Sequence, residues 1–367
     1  MMRGYSRDIN INNHEINLTA ILSGGVTPLS DFESETFSFI KDWLHGVGSF
    51  KLHTSGSTGT SKEILLTRKQ LQQSAQRTII AFDLNGNDTA FVCLDTKYIA
   101  GKMMLVRALE SNMKIVAVEP TSNPLQELSS DTSLSFAAFV PLQLREMLKY
   151  SDSTKKLNQL KAIIIGGGEV NASLQQAMQK LSCPTYATYG MTETVSHIAL
   201  QLLNGKKAAK NFTTLPEIDV EVDERGCLAI RLPEFIDKIM TNDLVELVTP
   251  TSFRWLGRFD NMINSGGFKV SAEKIEKVVE TIFRERMVDR SFFVCGIPDN
   301  HFGQKLILVV EGFPISGEKK ILSALKQHLH PYEVPKQIFY IREFIRTNTG
   351  KINRLKNSSL LPVPGDQ

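Results

Sequence analysis

Short apolar runs alternate with amphipathic stretches from residue 50 to residue 190, and this alternation restricts the possible fold more than any other feature of the sequence. The apolar runs have the length of β-strands and lie at 50–53, 89–94, 114–118, 136–141, 161–168 and 184–190. The intervening stretches predict helices around 67–82, 101–111, 141–149 and 171–181, and an earlier stretch with an acidic first turn predicts one at 31–44. This order is typical of a mostly parallel sheet covered by helices.

The pattern changes after residue 198. Short strand-like runs at 198–203, 218–222, 227–232 and 244–249, joined by turns, predict an antiparallel β region. From residue 261, helices at 271–284 and 317–329 and strands at 290–297, 305–312 and 337–341 predict a small α+β unit. The sequence therefore predicts an α/β protein with a large domain at 1–260, which includes the antiparallel β subdomain, and a small α+β domain at 261–367.

Composition and charge exclude several classes of protein. With 42% hydrophobic and 22% charged residues, the chain has the composition of a globular protein, not of a disordered, collagen-like or coiled-coil one. The net charge of +3 argues against nucleic-acid binding. Residues 261–367 hold 16 basic and 11 acidic residues. This excess of positive charge either arises by chance on a solvated surface or marks a part of the chain that contacts an anionic substrate.

Segments for export or membrane insertion are not expected. No apolar run is long enough to span a membrane, and the N-terminal residues lack the apolar core of a secretory signal, so we expect a cytoplasmic protein. The four cysteines are far apart and form no CxxC pair, which predicts free thiols in a reducing compartment. They are Cys93, Cys183, Cys227 and Cys295.

A loop rich in glycine and hydroxyl residues follows the first strand-like run. Its residues are Thr54, Ser55, Gly56, Ser57, Thr58, Gly59, Thr60, Ser61 and Lys62. Glycines let backbone N–H groups turn toward a phosphate, hydroxyls add donors and Lys62 adds a positive charge. The loop is not a Walker A motif, because Ser61 and not glycine precedes the lysine. We interpret it as a phosphate-binding loop rather than a polar linker.

Two polar segments follow later strands of the predicted sheet. Gly166-Gly167-Gly168-Glu169 ends one strand, and Tyr189-Gly190-Met191-Thr192-Glu193-Thr194 ends the next. In an open parallel sheet, ligands bind beyond the carboxyl ends of the strands. There an aromatic ring can stack on a base, a threonine can bond a phosphate oxygen and a glutamate can hold Mg²⁺. The second segment is also compatible with a helix that begins after Thr192.

Two further motifs lie in the last third of the chain. The first runs from Gly257 through Asp260 and Gly266-Gly267 to Val270, and the second is Arg346–Arg354, which holds Lys351 after a Thr-Gly pair. The loop 54–62, the segment Tyr189–Thr194 and these two motifs, in this order, resemble the motifs of the adenylate-forming superfamily, which includes acyl-CoA synthetases, peptide-synthetase adenylation domains and luciferases. The resemblance covers roughly residues 51–354.

This resemblance implies a reaction and a set of ligands. ATP and a carboxylate would form acyl-AMP and pyrophosphate with Mg²⁺, and the acyl group would usually pass to coenzyme A. No general base is required, because a carboxylic acid is already ionised near neutral pH. The resemblance also implies that the small C-terminal domain is mobile and presents different elements to the two half-reactions.

Roles carry over from the family to the large domain by position. The loop 54–62 would grip the β- and γ-phosphates, with Lys62 as a catalytic residue. Thr192 would contact the α-phosphate and Glu193 would bind Mg²⁺. The residues expected beside the adenine are Gly167, Gly168, Glu169, Tyr189 and Gly190.

Further roles fall in the last third of the chain. Asp243 would bind the ribose hydroxyls, and Arg258 would reach the ribose or a phosphate. Asp260 would be the hinge, and the pair Gly266-Gly267 would line the tunnel for the pantetheine arm. Lys351 would bridge the substrate carboxylate and the α-phosphate during adenylation.

The sequence departs from the family pattern in several places. The phosphate loop begins at 54, whereas it usually lies more than a hundred residues into the chain, so much of the usual N-terminal subdomain is expected to be missing. Glu63 and Asn242 stand where the family has glycines, and Ile345 replaces a proline. Tyr98 takes the place of a histidine near the acyl site.

The acyl-site segment holds three cations, Lys97, Lys102 and Arg107, and His197 could line the same pocket. A fatty-acyl ligase would be apolar there, so these cations favour a substrate with a second carboxylate. The alternative is that they lie on a solvated helix start, and that the histidine is structural. Within the superfamily the chain most resembles the o-succinylbenzoate–CoA ligases of menaquinone biosynthesis, whose substrate is an aromatic dicarboxylate.

Three alternatives stay open. The chain could be another acyl- or aryl-CoA ligase, an acyl-AMP ligase that loads a carrier protein, or a catalytically degenerate nucleotide-binding protein. The retention of Lys62, Glu193, Asp243, Arg258 and Lys351 argues against the last. The expected partners are the carboxylate, ATP and CoA, with no nucleic acid and no membrane span, and a homodimer is possible.

Overall fold

The computed structural model describes residues 8–53, 63–168, 170–299, 303–347 and 351–361. Its helices are α1 Leu18–Ser23, α2 Asp31–Leu44, α3 Arg68–Phe82, α4 Ile99–Glu110, α5 Pro141–Met147, α6 Ser151–Asn158, α7 Ala172–Met178, α8 Ala272–Glu285, α9 Glu318–His328 and α10 Arg354–Ser358, with 3₁₀ turns at Pro124–Glu127 and Phe259–Asn261. Its strands are β1 Asp8–Ile11, β2 His14–Asn17, β3 Ser49–His53, β4 Glu63–Thr67, β5 Thr89–Val92, β6 Lys114–Ala117, β7 Phe136–Phe139, β8 Ala162–Ile165, β9 Thr185–Met191, β10 Ser196–Leu202, β11 Phe212–Thr214, β12 Asp219–Val222, β13 Cys227–Arg231, β14 Ile239–Thr249, β15 Ser252–Arg258, β16 Met262–Ser265, β17 Phe268–Ser271, β18 Phe292–Asp299, β19 Gly303–Glu311 and β20 Gln337–Ile341.

The described residues divide into two compact units. The first holds 8–53, 63–168, 170–219 and 231–239, and the second holds 220–230, 240–299, 303–347 and 351–361. The second unit therefore begins before residue 260. The predicted functional boundary at 260–261 concerns a motion and stays a prediction.

A mostly parallel sheet forms the centre of the first unit. Its strands follow the order β11-β10-β9-β8-β7-β5-β6-β1-β2. The pairs β9–β8, β8–β7, β7–β5, β5–β6 and β6–β1 are parallel, whereas β10, β11 and β2 pair antiparallel with their neighbours. The carboxyl ends of β8 and β9 consequently lie side by side, with Ile165 opposite Ala187.

Both faces of this sheet are covered by helices. In β5, Ala90 and Val92 belong to a buried cluster that includes side chains of α2, α3 and α4, whereas Phe91 and Cys93 belong to a second cluster with α5, α6 and α7. A strand that is buried on both faces is apolar at every position, which explains the continuous apolar runs of the sequence.

The second unit contains two groups of strands. In the first group, neighbouring strands are hydrogen-bonded in the order β12-β13-β14-β15, and β14 pairs antiparallel with β15. A five-stranded sheet has the order β17-β16-β19-β18, with β20 parallel to β19. Alternate residues of β19 bury against α8 and α9 on one face and against Phe344 and Leu361 on the other.

The predicted fold class is confirmed, and most predicted elements are present within one to three residues. The differences concern mostly short elements. Helices α1, α6 and α10, the hairpin β1–β2 and strands β11, β15, β16 and β17 were not expected, and strand β4 lies between the glycine-rich loop and α3. His53 pairs with Glu63, so the strands that flank the loop are antiparallel, while Thr54–Lys62 lie outside the described residues.

The four cysteines are free, and Cys93, Cys183 and Cys227 are buried. Burial raises the pKa of the Cys183 thiol to about 12 and that of Cys295 to about 11. These thiols therefore stay protonated near neutral pH, and their structural role is that of small apolar side chains.

Candidate functional site

Two glycine-bearing segments meet at the carboxyl ends of β8 and β9. Gly166 follows β8 directly, and a Cβ added there would lie 2.6 Å from the Thr188 Oγ1, which donates a hydrogen bond to the carbonyl of Ile165. Gly167 has φ of +78°, which a glycine adopts without strain. Tyr189 lies at the end of β9 with its ring centroid 5.8 Å from that of Phe212. Gly168 continues the segment, and Glu169 lies outside the described residues.

The segment after β9 is a turn between two antiparallel strands, so the alternative of a helix start at Thr192 is wrong. Gly190 is required by this geometry, because a Cβ there would overlap the Ser196 carbonyl. Thr194 is buried, and its Oγ1 accepts a hydrogen bond from the backbone N–H of Met191 at 2.9 Å. The turn is therefore braced from within.

Two consecutive residues of this turn have left-handed backbone conformations. Val195 has φ of +55° and Ser196 has φ of +88°. For a β-branched residue such as valine this is an outlier that costs on the order of 1–3 kcal/mol. Strain of this kind persists where the surroundings hold it, and it concentrates at functional sites.

The turn leaves Thr192 partly accessible and Glu193 exposed. Among the residues that the structure describes, no group of three or more His, Cys, Asp or Glu side chains could hold a metal ion. A lone carboxylate fits Mg²⁺ that is bound mainly through phosphate oxygens and water. Glu193 thus fits the predicted role, which stays a prediction.

Helix α4 positions the predicted acyl-site residues. It begins after Tyr98, and Gly101 packs so closely on the preceding loop that a Cβ would overlap the carbonyl oxygens of Leu94 and Asp95. Lys97 is exposed. Lys102 turns back onto this loop.

The Lys102 ammonium donates to the carbonyl of Thr96 at 2.7 Å and to that of Lys97 at 3.3 Å. Burial lowers the pKa of Lys102, and Glu35 and Asp95 act in the opposite direction. Its donors are thus engaged by the loop that begins the helix.

Arg107 differs from the two lysines because it is buried, with 1% of its surface exposed. Its Nη2 donates to the Ser196 Oγ at 3.1 Å and lies 3.4 Å from the His197 Nδ1, and its Nη1 contacts the Met104 sulfur at 3.7 Å. The Nε has no hydrogen-bond partner among the described residues, and none of these residues forms an ion pair with the guanidinium. Burial lowers the pKa of Arg107 to about 9.

His197 lies in the same buried cluster. Its Nε2 is 3.1 Å from the Oγ1 of Thr78 on helix α3. Burial and then the charge of Arg107 hold the pKa of His197 well below 6.5, so the imidazole is neutral near neutral pH. Sequence reasoning found His197 and Arg107 but missed Thr78, which carries no local motif.

The predicted ribose and hinge residues lie together within the second unit. Asp243 on β14 is paired with Arg258 on β15, and their charged atoms are 3.7 Å apart. The Trp255 indole donates to the Asp243 carboxylate at 3.1 Å. Arg258 also donates to Asp260 at 2.7 Å, and Asn242 donates to the same carboxylate at 3.0 Å. Asn242, which stands where the family has a glycine, therefore binds Asp260, the predicted hinge residue.

The pair Gly266-Gly267 forms the turn between β16 and β17. Both residues have positive φ, +61° and +84°, as a two-residue hairpin turn of type I′ requires. A Cβ at Gly267 would meet no atom within 4 Å. The glycines are therefore explained by the backbone turn, and the predicted role in the CoA tunnel is not tested by the described contacts.

Lys351 follows residues 348–350, which lie outside the described residues. Its backbone carbonyl accepts from Thr347 N–H at 2.8 Å, and residues 346 and 352 form an antiparallel bridge. The pKa of Lys351 is lowered by loss of hydration and by Arg258, against the effect of Asp243, although the residue as a whole keeps an exposed surface. The ammonium therefore lies in the electrostatic range of the predicted ribose-binding pair.

Two glutamate–arginine pairs anchor the described residues before and after this gap. Glu311 accepts from Arg346 at 2.6 Å and Glu276 accepts from Arg354 at 2.7 Å. The second oxygen of Glu276 accepts from the backbone N–H of Val294 at 2.6 Å. The residues that flank Lys351 are thus tied to helix α8 and to strands β18 and β19 of the same unit.

We expect Glu276 to make folding stability depend on pH between about 4.5 and 7. Burial raises the pKa of Glu276 from 4.5 to about 7, and Arg354 acts in the opposite direction. In this window the folded state holds a proton that the unfolded state has lost. The contribution of this carboxyl to the free energy of unfolding therefore falls as pH rises, by about 3 kcal/mol at most.

Glu276→Gln should remove this slope, and urea unfolding at pH 5 and pH 7 measures it. Glu285→Gln is the matched control, because Glu285 is exposed on the same helix α8. The control should keep the wild-type difference between the two pH values. A wild-type difference in Glu276→Gln would show that another group is responsible.

Comparison with known proteins adds three findings. The family of AMP-binding enzymes matches residues 49–227. One solved crystal structure is that of an acyl-CoA synthetase (AMP-forming)/AMP-acid ligase II-like protein from Dyadobacter fermentans, whose sequence is 38% identical to that of this chain. The two structures match with a TM-score of 0.62 over 93% of this chain and 97% of that one. A 2-succinylbenzoate–CoA ligase from Lactococcus lactis is 26% identical over 324 residues, which are 83% of this chain and 69% of that protein.

A solved structure with a bound nucleotide shares the fold at lower identity. It is the o-succinylbenzoate coenzyme A synthetase from Bacillus subtilis in complex with ATP and magnesium, which is 20% identical, with a TM-score of 0.70 over 83% of this chain and 69% of that one. Within the described ranges of our chain, no helix is both long and apolar enough to cross a membrane.

Proposed function

Because the chain belongs to the family of AMP-binding enzymes and is an adenylate-forming ligase, we propose that it activates an acid with a second carboxylate, o-succinylbenzoate, and transfers the acyl group to coenzyme A. The names of the Lactococcus and Bacillus relatives support this choice of acid. The observation that carries the proposal is the buried guanidinium of Arg107.

The reaction has two steps. In the first, a carboxylate oxygen of the acid attacks the α-phosphorus of ATP, the bond to the β-phosphate breaks and pyrophosphate leaves. In the second, the sulfur of CoA attacks the acyl carbon of the mixed anhydride, the thiol proton is lost and AMP leaves. The first step brings anions together, so it requires cations and backbone donors placed where charge develops.

We assign the residues of this chain to that requirement. Lys62 and the backbone of residues 54–62 bind the β- and γ-phosphates, Thr192 bonds the α-phosphate, and Lys351 bridges it to the attacking carboxylate. Mg²⁺, held by Glu193, supplies further positive charge at the phosphates. The ribose, adenine and hinge roles follow the sequence-based assignments, with Trp255 added as the donor that orients Asp243.

Arg107 supports a second carboxylate because its burial is otherwise uncompensated. A guanidinium removed from water without an anionic partner is costly, and the partners of this one among the described residues are a hydroxyl, an imidazole and a thioether. A substrate carboxylate, directly or through a water molecule, would supply the missing negative charge. Lys97 and Lys102 are weaker candidates, since one is exposed and the other donates to backbone carbonyls.

Arg107→Met should lower kcat/KM for o-succinylbenzoate at least tenfold. A hydrogen bond to a charged group is worth about 1.5–3 kcal/mol, and methionine keeps the apolar volume while removing the charge. The comparison acid is 4-phenyl-4-oxobutanoate, which lacks only the ring carboxylate and should lose much less. AMP release with each acid, with and without CoA, measures both values. Lys97→Met is the control, because it removes an exposed cation from the same segment.

Four outcomes would contradict the proposal in different ways. Equal efficiency of the wild-type enzyme with the diacid and the monoacid would remove the argument for a second carboxylate. A preference for a medium-chain fatty acid would exclude the o-succinylbenzoate assignment. Acyl-AMP formation with CoA inactive as acceptor would favour a carrier-protein ligase, and absence of ATP–pyrophosphate exchange would leave a nucleotide-binding protein without chemistry.

A further inference from the structure

Helix α3 places two buried hydroxyl groups, one turn apart, against the β9–β10 connection. Ser74 and Thr78 are 3% and 0% exposed. The Ser74 Oγ donates to the carbonyl of Val195 at 2.6 Å, and the Thr78 Oγ1 lies 3.1 Å from the His197 Nε2. Neither residue has a role in the proposed function so far. Both form hydrogen bonds with the segment 195–197, which contacts Arg107 through Ser196 and His197.

Ser74 supports the strained part of the turn. Its hydrogen bond is made to Val195, the first of the two residues with positive φ. The second, Ser196, directs its Oγ to the Arg107 Nη2 at 3.1 Å. The conformation that brings a hydroxyl acceptor to the guanidinium is therefore held from helix α3.

The hydrogen bonds around His197 can run in one direction only. A guanidinium has donors and no acceptor, so the Nδ1 of His197 must be the acceptor toward Arg107. A neutral imidazole then carries its proton on Nε2 and donates it to the Thr78 Oγ1. The Thr78 hydroxyl proton is left for the Ser74 carbonyl, at 3.4 Å. The chain Arg107–His197–Thr78–Ser74 thus links α4, β10 and α3.

We propose that Ser74, Thr78 and His197 are positioning residues that fix the guanidinium of Arg107 and thereby set the preference for an acid with a second carboxylate. The inference rests on the proposed function. The Nη2 is committed to Ser196 and His197, whereas the Nε has no partner among the described residues. The network therefore decides which donors of Arg107 remain for the substrate.

The readout is the ratio of kcat/KM for o-succinylbenzoate to kcat/KM for 4-phenyl-4-oxobutanoate. His197→Leu removes the acceptor for Arg107 and should lower this ratio about tenfold. His197→Asn, whose amide oxygen can take the place of Nδ1, should restore most of it. Thr78→Val should lower the ratio by a smaller factor, and Thr78→Ser, which keeps the hydroxyl, should not.

A matched control separates this role from a general loss of packing. Ser153 is also buried, at 4% exposed, and its hydroxyl bonds Asn123 on the other side of the sheet. Ser74→Ala should lower the ratio, and Ser153→Ala should leave it unchanged. If His197→Leu reduces the efficiency with both acids by the same factor, the residue is merely structural and the proposal is overturned.

The failure of this inference can be told apart from failure of the proposed function. If the wild-type enzyme does not prefer the diacid, the proposed function fails. If it does, and His197→Leu keeps the preference, only the positioning role fails. If a variant does not fold, a measurement on the unaltered enzyme still tests the hydrogen-bond network. Nitrogen NMR of the histidine rings should show His197 neutral with its proton on Nε2, and a proton on Nδ1 would contradict the network.

Discussion

Lys351→Ala should lower the rate of acyl-adenylate formation about 10²–10³-fold, since removing one preorganised contact to developing charge has an effect of that size. Thioester formation from preformed acyl-AMP should survive, because the carboxylate oxygen is then already bonded to the α-phosphorus and pyrophosphate has already left. ATP–pyrophosphate exchange measures the first step, and CoA thioester formed from added acyl-AMP measures the second. This is the largest decrease in reaction rate that we expect.

The control for Lys351 is Lys356→Ala, an exposed lysine five residues further on. It should leave both steps intact. Because the pKa of Lys351 is lowered from 10.5, the lysine loses its positive charge at a lower pH than a fully hydrated lysine does. As pH rises, the rate of adenylation should therefore begin to fall at a lower pH than it would with a fully hydrated lysine. Equal loss of both half-reactions in Lys351→Ala would show that the lysine is not specific to adenylation.

Asp260→Pro should leave adenylation in place and reduce CoA transfer about 10²-fold or more, since small misplacement of reacting groups has effects of this size. The prediction assumes that Lys351 and the Gly266-Gly267 turn serve different steps and that rotation occurs near Asp260. Proline fixes φ near −65° and would hold one arrangement. The two half-reactions, measured separately, test this directly.

Asp260→Asn is the control that separates the hinge from the charge. It alters the carboxylate that accepts from Arg258 and Asn242, but it leaves the backbone free to rotate. If it matches Asp260→Pro, the interactions of the side chain and not its backbone are responsible. Unchanged overall turnover in Asp260→Pro would exclude a hinge at this position.

The fold could be predicted largely from local patterns. The strands β7 and β8 are apolar at every position, and β5 and β6 are apolar after Thr89 and Lys114, because both faces of the sheet are covered, and this signal lies within four residues of sequence. The strands β15, β16 and β17 were not predicted because they are polar and partly exposed, and β16 and β17 hold only four residues each. Such strands take their conformation from the neighbours with which they pair.

Part of the candidate site was also accessible from the sequence. Glycine-rich and hydroxyl-rich segments that follow strands have a local chemical meaning, as do a threonine and glutamate after Tyr189 and a lysine after a Thr-Gly pair. Asn242 and Trp255 were not recognisable in this way. Their importance comes from the pairing of β14 with β15 and from their contacts with Asp260 and Asp243.

The amino-acid sequence determined the order and type of the main elements, and with them the edge of the sheet where we expect ligands to bind, because periodicity and turn chemistry act over a few residues. It could not rank the three cations of the acyl-site segment. The tertiary structure turned Lys102 onto backbone carbonyls, left Lys97 exposed and buried Arg107 against Ser196 and His197. The environment of Arg107 arises from contacts between α4, α3 and β10, about ninety to one hundred and twenty residues apart in sequence, and burial sets the energy of a charge.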